Sequence, residues 1–132
     1  MKTIFVDLGG TLFLNEDGQA VLNQSLFDIL AKHKNNFRLV ILSDTTYDVT
    51  VSLFDMGITS EFNPLVITKH LYNIDKYDPT TYLFACEKAG VDPEQSLLID
   101  NESNFVLAAK KAGLKTVSPD DSNLEEKILA FL

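Results

Sequence analysis

Residues 3–13 read TIFVDLGGTLF, and this stretch decides how the fold is interpreted. Ile4, Phe5 and Val6 form a continuous apolar run, which is typical of a strand buried on both faces of a parallel sheet. The run ends at Asp7, and Gly9, Gly10 and Gly18 then indicate an irregular turn or a small hairpin, with residues 11–15 as its apolar arm. The stretch therefore predicts a buried strand over residues 3–7 that carries a carboxylate at its carboxyl end.

The rest of the chain alternates short apolar runs with amphipathic segments of helical length. Four more buried strands are predicted, over residues 38–43, 65–67, 97–99 and 115–117. Helices are predicted over residues 20–34, 46–56, 79–90, 104–112 and 124–131. Strands separated by helices require right-handed crossovers, which place helices on both faces of a parallel sheet. The sequence therefore predicts an α/β fold with a five-stranded parallel sheet, in a single domain over residues 1–132.

Composition and charge restrict the class of protein. A chain of 132 residues with 45% hydrophobic residues has room for one well-packed domain. The net charge of −8, without any Lys or Arg cluster, argues against a nucleic-acid partner. Because Cys86 is the only cysteine, no internal disulfide can form. Cys86 is predicted to be a buried core thiol. No apolar run approaches the roughly 18 residues that span a membrane, and no signal segment is apparent, so a cytoplasmic location is expected.

Three polar side chains fall at the carboxyl ends of predicted strands, where parallel sheets form their sites. These are Asp7, Ser43 and Asp100, and Lys76 precedes the helix start at Asp78-Pro79. Taken singly, the serine also suits a helix cap, the lysine a solvated surface and each aspartate a turn acceptor. Taken together, they could provide a carboxylate nucleophile, a hydroxyl donor, a neutralising ammonium and a metal ligand.

The order of these residues resembles the four motifs of the haloacid dehalogenase-like (HAD) superfamily. Residues 5–13, FVDLGGTLF, are similar to the first motif, which is normally Asp-x-Asp-Gly-Thr-Leu. LVILS at residues 39–43 resembles the second motif, and KYDP at residues 76–79 the third. VDPEQSLLIDN at residues 91–101, continued by AAKKAG at residues 108–113, resembles the fourth motif and its helix. The resemblance spans roughly residues 3–117 and implies a Rossmann-like three-layer sandwich.

The resemblance also implies roles for the candidate site residues. Asp7 would be the nucleophile, Ser43 the donor to a phosphoryl oxygen and Lys76 the charge-neutralising lysine. Asp100 and Asn101 would form a metal corner for Mg²⁺, together with Asp7. Most members of the superfamily are Mg²⁺-dependent phosphatases, so the expected substrate is a phosphorylated small molecule or a phosphoprotein.

The first motif departs from the phosphatase pattern at Gly9. Phosphatases of the superfamily place a second aspartate there, which protonates the leaving group and later activates water. Losing such a group typically costs about 10²–10⁴-fold in rate. The Gly9 carbonyl remains available as a Mg²⁺ ligand, so metal binding could survive where acid–base catalysis does not.

The fourth motif also departs from the phosphatase pattern. It can be aligned with that pattern in two registers. The ungapped register, which we favour, places Asn101 on the metal ligand and Asp100 just before it. A shift of one residue makes Asp100 the ligand but leaves Phe105 where a second acid is common. Either register gives the corner fewer carboxylates than usual.

The sequence leaves little room for a cap domain, because about 35 residues separate Asp7 from Ser43 and residues 68–78 are few. A capless member of the superfamily would act on macromolecules or close its site by forming an oligomer. Three functions remain open: a weak Mg²⁺-dependent phosphatase, a non-catalytic binding or regulatory module, and a dehalogenase. The last also lacks the second aspartate, but dehalogenases use a cap and an arginine, and Arg38 is predicted at the far end of its strand.

Overall fold

The computed structural model describes residues 1–132 and contains the predicted five-stranded parallel sheet. The strands are β1 (Thr3–Val6), β2 (Phe13–Glu16), β3 (Gln19–Leu22), β4 (Arg38–Ser43), β5 (Leu65–Thr68), β6 (Ser96–Ile99) and β7 (Lys115–Val117). The large sheet has the order β5-β4-β1-β6-β7, and all of its neighbouring strands are parallel. Strands β2 and β3 form a separate antiparallel hairpin.

Helices connect the strands of the large sheet. They are α1 (Gln24–Lys32), α2 (Thr50–Asp55), α3 (Ile58–Phe62), α4 (Lys69–Tyr72), α5 (Pro79–Ala89), α6 (Ser103–Lys111) and α7 (Leu124–Phe131). Short 3₁₀ turns cover Lys34–Asn36 and Pro93–Gln95. None of the helices is long and apolar enough to span a bilayer.

Two apolar cores lie on opposite faces of the sheet. Successive side chains of β1 point to opposite faces of the sheet. Ile4 and Val6 lie in one core and Phe5 lies in the other. The first core packs against α1, α2, α3 and α7, and the second against α5 and α6, where the thiol of Cys86 is buried. This three-layer arrangement confirms the predicted Rossmann-like α/β sandwich, and no cap domain is inserted in it.

The predicted helix over residues 20–34 begins later than expected. Residues 19–22 are strand β3, which pairs with β2 across the two-residue turn of Asp17 and Gly18. Both turn residues have positive φ, at 52° and 81°, as a tight hairpin with strand twist requires. Helix α1 then begins after Asn23, whose side chain accepts a hydrogen bond from Leu26 N.

The predicted helix over residues 46–56 is also shorter in the structure. Asp48 Oδ1 accepts hydrogen bonds from Thr50 N at 2.9 Å and from Thr50 Oγ1 at 2.6 Å, which fixes a local turn just before α2. Such side-chain contacts compete with helical hydrogen bonds. Gly57, at a φ of 77°, ends the region of α2 as predicted, and the unpredicted α3 follows it.

Helix α5 begins and ends where the sequence predicts. Asp78 is its N-cap and accepts a hydrogen bond from Thr80 N at 3.0 Å, with Pro79 at the first helical position. Gly90 closes the helix in the left-handed conformation, at a φ of 68°. The helix start matters for the site because it fixes the segment that carries Lys76.

Candidate active site

The candidate site lies at the carboxyl ends of the central strands. β1 and β6 pair in register up to Val6 and Ile99, so Asp7 and Asp100, the next residues along, are lateral neighbours. The hydrogen bond from Asp7 N to Ile99 O, at 3.1 Å, extends this pairing past the strand ends. The sheet register therefore brings together two carboxylates that are 93 positions apart in the chain.

Lys76 bridges these two carboxylates and also contacts a backbone carbonyl. Its Nζ donates to Asp100 Oδ2 at 2.7 Å, to Asp7 Oδ1 at 3.0 Å and to the carbonyl of Leu42 at 3.2 Å. An ammonium has three N–H groups, and each of them has an acceptor here. Lys76 is only 1% exposed, so it is not the solvated surface lysine that its type would suggest on its own.

Local hydrogen bonds hold the backbone that carries Lys76. Thr81 Oγ1 donates to Asp75 O at 2.6 Å, and Asp75 Oδ1 accepts from Tyr77 N at 3.0 Å. The hydroxyl of Tyr82, a fully buried residue of α5, donates to Lys76 O at 2.7 Å. The first turn of α5 thus positions the ammonium between the carboxylates.

Burial changes the acidity of Asp7. Loss of solvent raises its pKa from 3.8 to about 6, against the opposing attraction of Lys76. The negative charge of Asp100 contributes to the same upward shift of this pKa. The cluster contains one ammonium and two carboxylates, so its ionised form carries one net negative charge.

Ser43 lies at the edge of this cluster and is 1% exposed. Its Oγ accepts a hydrogen bond from Thr45 N at 3.3 Å, which is a local turn contact and not a helix cap, since the next helix begins only at Thr50. The neighbouring carbonyl of Leu42 contacts Lys76 directly. The structure thus brings Asp7, Lys76 and Asp100 into contact, and it places Ser43 beside them without a direct bond to the cluster.

Asn101 connects the corner after β6 to the loop after β1. Thr11 Oγ1 donates to Asn101 Oδ1 at 3.2 Å, and Glu102 N donates to Asp100 Oδ1 at 3.0 Å. A Cβ at Gly10 would lie 2.4 Å from Asn101 Nδ2, so any side chain there would displace the Asn101 side chain from its present position. Gly10 also has a φ of 78°, which favours glycine for a second reason.

The oxygen groups of this corner suit Mg²⁺ in type. Asp7 and Asp100 supply carboxylates, and the Gly9 carbonyl and the Asn101 amide would supply neutral oxygens. Mg²⁺ often binds through one or two carboxylates, with water and phosphate completing its shell. No group of three or more His, Cys, Asp or Glu side chains converges anywhere in the protein, so a cation here depends on other ligands.

Phe105, at the position where a second acid is common in the superfamily, contacts Lys76 directly. Its ring centroid lies 4.6 Å from Lys76 Nζ and 4.8 Å from the ring of Tyr77 in an edge-on arrangement. A cation over an aromatic face is stabilised, more so when it is desolvated. The ring of Phe105 therefore covers the ammonium of Lys76. A carboxylate at position 105 would instead compete with Asp7 and Asp100 for this ammonium.

Two openings flank the cluster. A pocket of about 430 Å³ lies between the β2–β3 hairpin and the loop after β4, and Gly9, Phe13 and Tyr47 are among its lining residues. A groove of about 680 Å³ lies on the other side, where Asp100 and Asn101 meet Lys110 and Lys127. We call these the hairpin pocket and the lysine groove.

The sequence of the chain matches a known protein family. The sequence model of haloacid dehalogenase-like hydrolases matches residues 16–118 of this chain, which is well over half of it. The chain belongs to the haloacid dehalogenase-like hydrolase family. Asp7 lies before the matched span, and the sheet register places it beside Asp100, which lies within the span.

Individual relatives of this HAD-like domain are distant or matched in part. It is 24% identical over 90 residues to a phosphoglycolate phosphatase of Aquifex aeolicus, covering 68% of this chain and 42% of the relative. The chain spans less than half the length of the curated relatives it matches.

Solved structures share the fold of the HAD-like domain. A HAD family enzyme of Bacteroides thetaiotaomicron, in complex with magnesium and inorganic phosphate, has a TM-score of 0.76 at 16% identity. That match covers 94% of this chain and 98% of the other. A hydrolase of Streptococcus pneumoniae has a TM-score of 0.76 at 17% identity, covering 99% and 98% of the two chains.

Proposed function

We propose that this HAD-like domain is a slow Mg²⁺-dependent phosphatase in which Asp7 attacks the phosphorus of a phosphomonoester. The observation that carries the proposal is the buried contact of Lys76 with both Asp7 and Asp100. A carboxylate held against an ammonium at the end of a parallel strand can approach an anionic phosphoryl group, because the ammonium offsets the repulsion. The matched phosphoglycolate phosphatases and the neighbour crystallised with magnesium and phosphate support this reaction class.

Each residue of the cluster has a separate part in the proposed reaction. Asp7 forms the new bond to phosphorus through a carboxylate oxygen, and Lys76 neutralises charge between Asp7 and the phosphoryl oxygens. Ser43 turns its hydroxyl proton toward a phosphoryl oxygen, since its Oγ already accepts from Thr45 N and its own proton is free to point elsewhere. Asp100 holds Lys76 in place through the 2.7 Å contact.

Mg²⁺ would be held by Asp7, the Gly9 carbonyl, Asp100 and Asn101, and it would supply positive charge at the phosphoryl oxygens. The carboxylate of Asp100 is already engaged by Lys76 and by Glu102 N. We therefore expect Mg²⁺ to bind weakly alone and more tightly with phosphate, whose oxygens complete the ligand set.

The proposal is tested by phosphate release from a panel of phosphomonoesters, with Mg²⁺ or with a chelator. Wild-type protein should release phosphate only with Mg²⁺, and Asp7→Asn should reduce release to that of the buffer alone. Asp55→Asn, the same change at an exposed position of α2, is the matched control and should leave release unchanged. Equal release by the wild type and Asp7→Asn would exclude Asp7 as the nucleophile.

The second candidate is a binding module that holds phosphate without turnover. Gly9 favours it, because this position offers only backbone groups where a phosphatase uses an acid. Calorimetry with inorganic phosphate and Mg²⁺ separates the two candidates. Binding that Asp7→Asn or Lys76→Met abolishes, with no phosphate release from any ester, would favour the binding module.

The dehalogenase alternative has no support at this site. Arg38, the only arginine, begins β4 at the opposite end of the sheet and donates to Ala89 O at 3.1 Å. The side chains around Asp7 therefore include no guanidinium that could hold a substrate carboxylate.

A further inference from the structure

The hairpin pocket is the opening next to the proposed nucleophile, because Leu8 and Gly9 follow Asp7 directly and line it. Its remaining walls come from the hairpin, including Phe13 and Leu14, and from the loop after β4. No Asp, Glu, His, Lys or Arg side chain lines this pocket. It differs in this respect from the lysine groove, which holds Lys110 and Lys127.

Gly9 leaves the pocket without a carboxylic acid, an imidazole or an ammonium group that can donate or accept a proton. A Cβ built at Gly9 would meet no atom within 4 Å, so no neighbouring side chain fills the space of the missing acid. The other acidic groups at the site are engaged elsewhere, since Asp100 contacts Lys76 and Glu102 N. Asp44 follows β4 but is exposed and is not part of the pocket wall.

This arrangement restricts the group that can leave phosphorus. In phosphoryl transfer the bond to the leaving oxygen is largely broken in the transition state, so that oxygen acquires negative charge. An alkoxide leaves slowly unless an acid protonates it, whereas a phenolate or a carboxylate leaves without a proton. The uncharged walls, with the rings of Phe13 and Tyr47, also suit an aromatic or acyl group.

The same lack of a proton acceptor affects the second half of the reaction. Hydrolysis of a phosphorylated aspartate requires water to lose a proton as it attacks, and the pocket wall offers no carboxylate or imidazole to accept it. The phosphoryl group would therefore be removed from Asp7 more slowly than it is added. Its retention would be limited only by uncatalysed attack of water.

We infer that Asp7 is a phosphorylation site that takes a phosphoryl group from aryl or acyl phosphates and retains it. The inference rests on the proposed function, because both require Asp7 to be the nucleophile. In the step, a bond forms between an Asp7 carboxylate oxygen and phosphorus, and the bond from phosphorus to the donor oxygen breaks. The electron pair leaves with that oxygen as a phenolate or a carboxylate, and no proton is transferred.

The test uses p-nitrophenyl phosphate and acetyl phosphate with Mg²⁺, followed by intact-protein mass spectrometry and rapid measurement of released p-nitrophenolate. We expect a burst of one p-nitrophenolate per chain and a mass increase of one phosphoryl group. The added group should be removed by hydroxylamine, which cleaves acyl phosphates, and should be absent in Asp7→Asn. The alkyl ester 2-phosphoglycolate should produce no phosphorylated wild-type protein.

Gly9→Asp provides the matched gain-of-function variant. Its side chain enters open space, and the φ of Gly9 lies outside the left-handed region, so the change requires no backbone strain. We expect Gly9→Asp to abolish the burst, because dephosphorylation of Asp7 is then no longer the slow step, and to raise steady-state turnover by about 10²–10⁴-fold. The phosphorylated form should no longer accumulate, and 2-phosphoglycolate should become a substrate.

The outcomes separate this inference from the proposed function. Turnover of p-nitrophenyl phosphate without a burst, or equal reaction with alkyl and aryl esters, would overturn the inference and leave the phosphatase proposal standing. Faster accumulation of phosphorylated protein in Asp44→Asn would also overturn it, since Asp44 would then be replacing the missing base. Absence of any p-nitrophenolate release by both the wild type and Gly9→Asp would exclude Asp7 as the nucleophile and overturn both.

Discussion

Lys76 Nζ lies 2.7 Å from Asp100 Oδ2 in the interior of the protein, and both side chains are fully shielded from solvent. Buried charges are stable only when they are paired and hydrogen-bonded, because each of them loses its hydration. Here the third member, Asp7, leaves the cluster with an excess of negative charge. The contact between Lys76 and Asp100 is therefore central both to stability and to the proposed chemistry.

Lys76→Met should destabilise the fold strongly, because it leaves two buried carboxylates beside each other without a cation. Removing one partner of a buried ion pair typically costs about 3–5 kcal/mol, and we expect a loss of this size in the free energy of unfolding in urea. The exposed Lys111→Met is the control and should change stability by less than about 0.5 kcal/mol. A similarly small effect of Lys76→Met would contradict the buried pairing.

The positions of the site residues could be predicted from the sequence where strand ends define them. Asp7, Ser43 and Asp100 follow from continuous apolar runs, since parallel strands end at one edge of a sheet. The sequence predicts Lys76 as a site residue from its position before the Asp78-Pro79 helix start and from its match to the third motif, although its type alone favours an exposed side chain. Its burial depends on carboxylates 69 and 24 positions away, and such pairing is not visible in local sequence.

The errors in the sequence prediction have local physical causes. Residues 20–22 continue the helical spacing of α1, so the sequence predicts them as helix although they form part of β3. The small hairpin that Gly18 indicates is present, and Asp17-Gly18 forms its turn, in which both residues adopt positive φ. The contact of Phe105 with Lys76 could not be found from the sequence, since it depends on how α6 packs over the site.

Stability should depend on pH through Asp7. Burial raises its pKa from 3.8 in the unfolded chain to about 6 in the fold, so the folded protein binds this proton more tightly. The stability that this group contributes is therefore present below pH 3.8 and is lost as the pH rises through about 6. A shift of about two pKa units corresponds to about 3 kcal/mol at pH 7.

Asp7→Asn isolates this effect, because the amide does not titrate. In metal-free buffer, the difference in unfolding free energy between Asp7→Asn and the wild type should shift in favour of the variant between about pH 4 and pH 7, by up to about 3 kcal/mol. Surface carboxylates affect both proteins alike and cancel in the difference. A difference that stays constant with pH would show that Asp7 has an ordinary pKa in the fold.

Tyr82→Phe should weaken the site without touching the reacting groups. The Tyr82 hydroxyl donates to Lys76 O at 2.7 Å in a fully buried environment, and its removal leaves that carbonyl unpaired. An unpaired buried acceptor costs about 1–3 kcal/mol, which urea unfolding can measure. Because Lys76 then moves more freely, the burst rate with p-nitrophenyl phosphate should also fall. Tyr72→Phe, at a partly exposed position, is the control and should leave the burst rate unchanged.

Comparing Gly10→Ala with Gly18→Ala distinguishes the effect of backbone strain from the effect of moving Asn101, a proposed Mg²⁺ ligand. Both glycines have positive φ, at 78° and 81°, so each alanine should cost about 1–2 kcal/mol of stability. A Cβ at Gly10 would also lie 2.4 Å from Asn101 Nδ2, whereas a Cβ at Gly18 would meet nothing within 4 Å. Gly10→Ala should therefore displace the Asn101 side chain and break its 3.2 Å hydrogen bond with Thr11.

Calorimetric titration of Mg²⁺ in the presence of phosphate distinguishes the two alanine variants. Gly10→Ala should bind Mg²⁺ more weakly than Gly18→Ala, although urea unfolding shows similar losses of stability in both. The comparison is sensitive because Asn101 follows Asp100 directly, so a displaced amide disturbs the corner from which the cation would be held. Equal Mg²⁺ affinity in the two variants would mean that Asn101 takes no part in binding the cation, which would leave Asp7, the Gly9 carbonyl and Asp100 as its protein ligands.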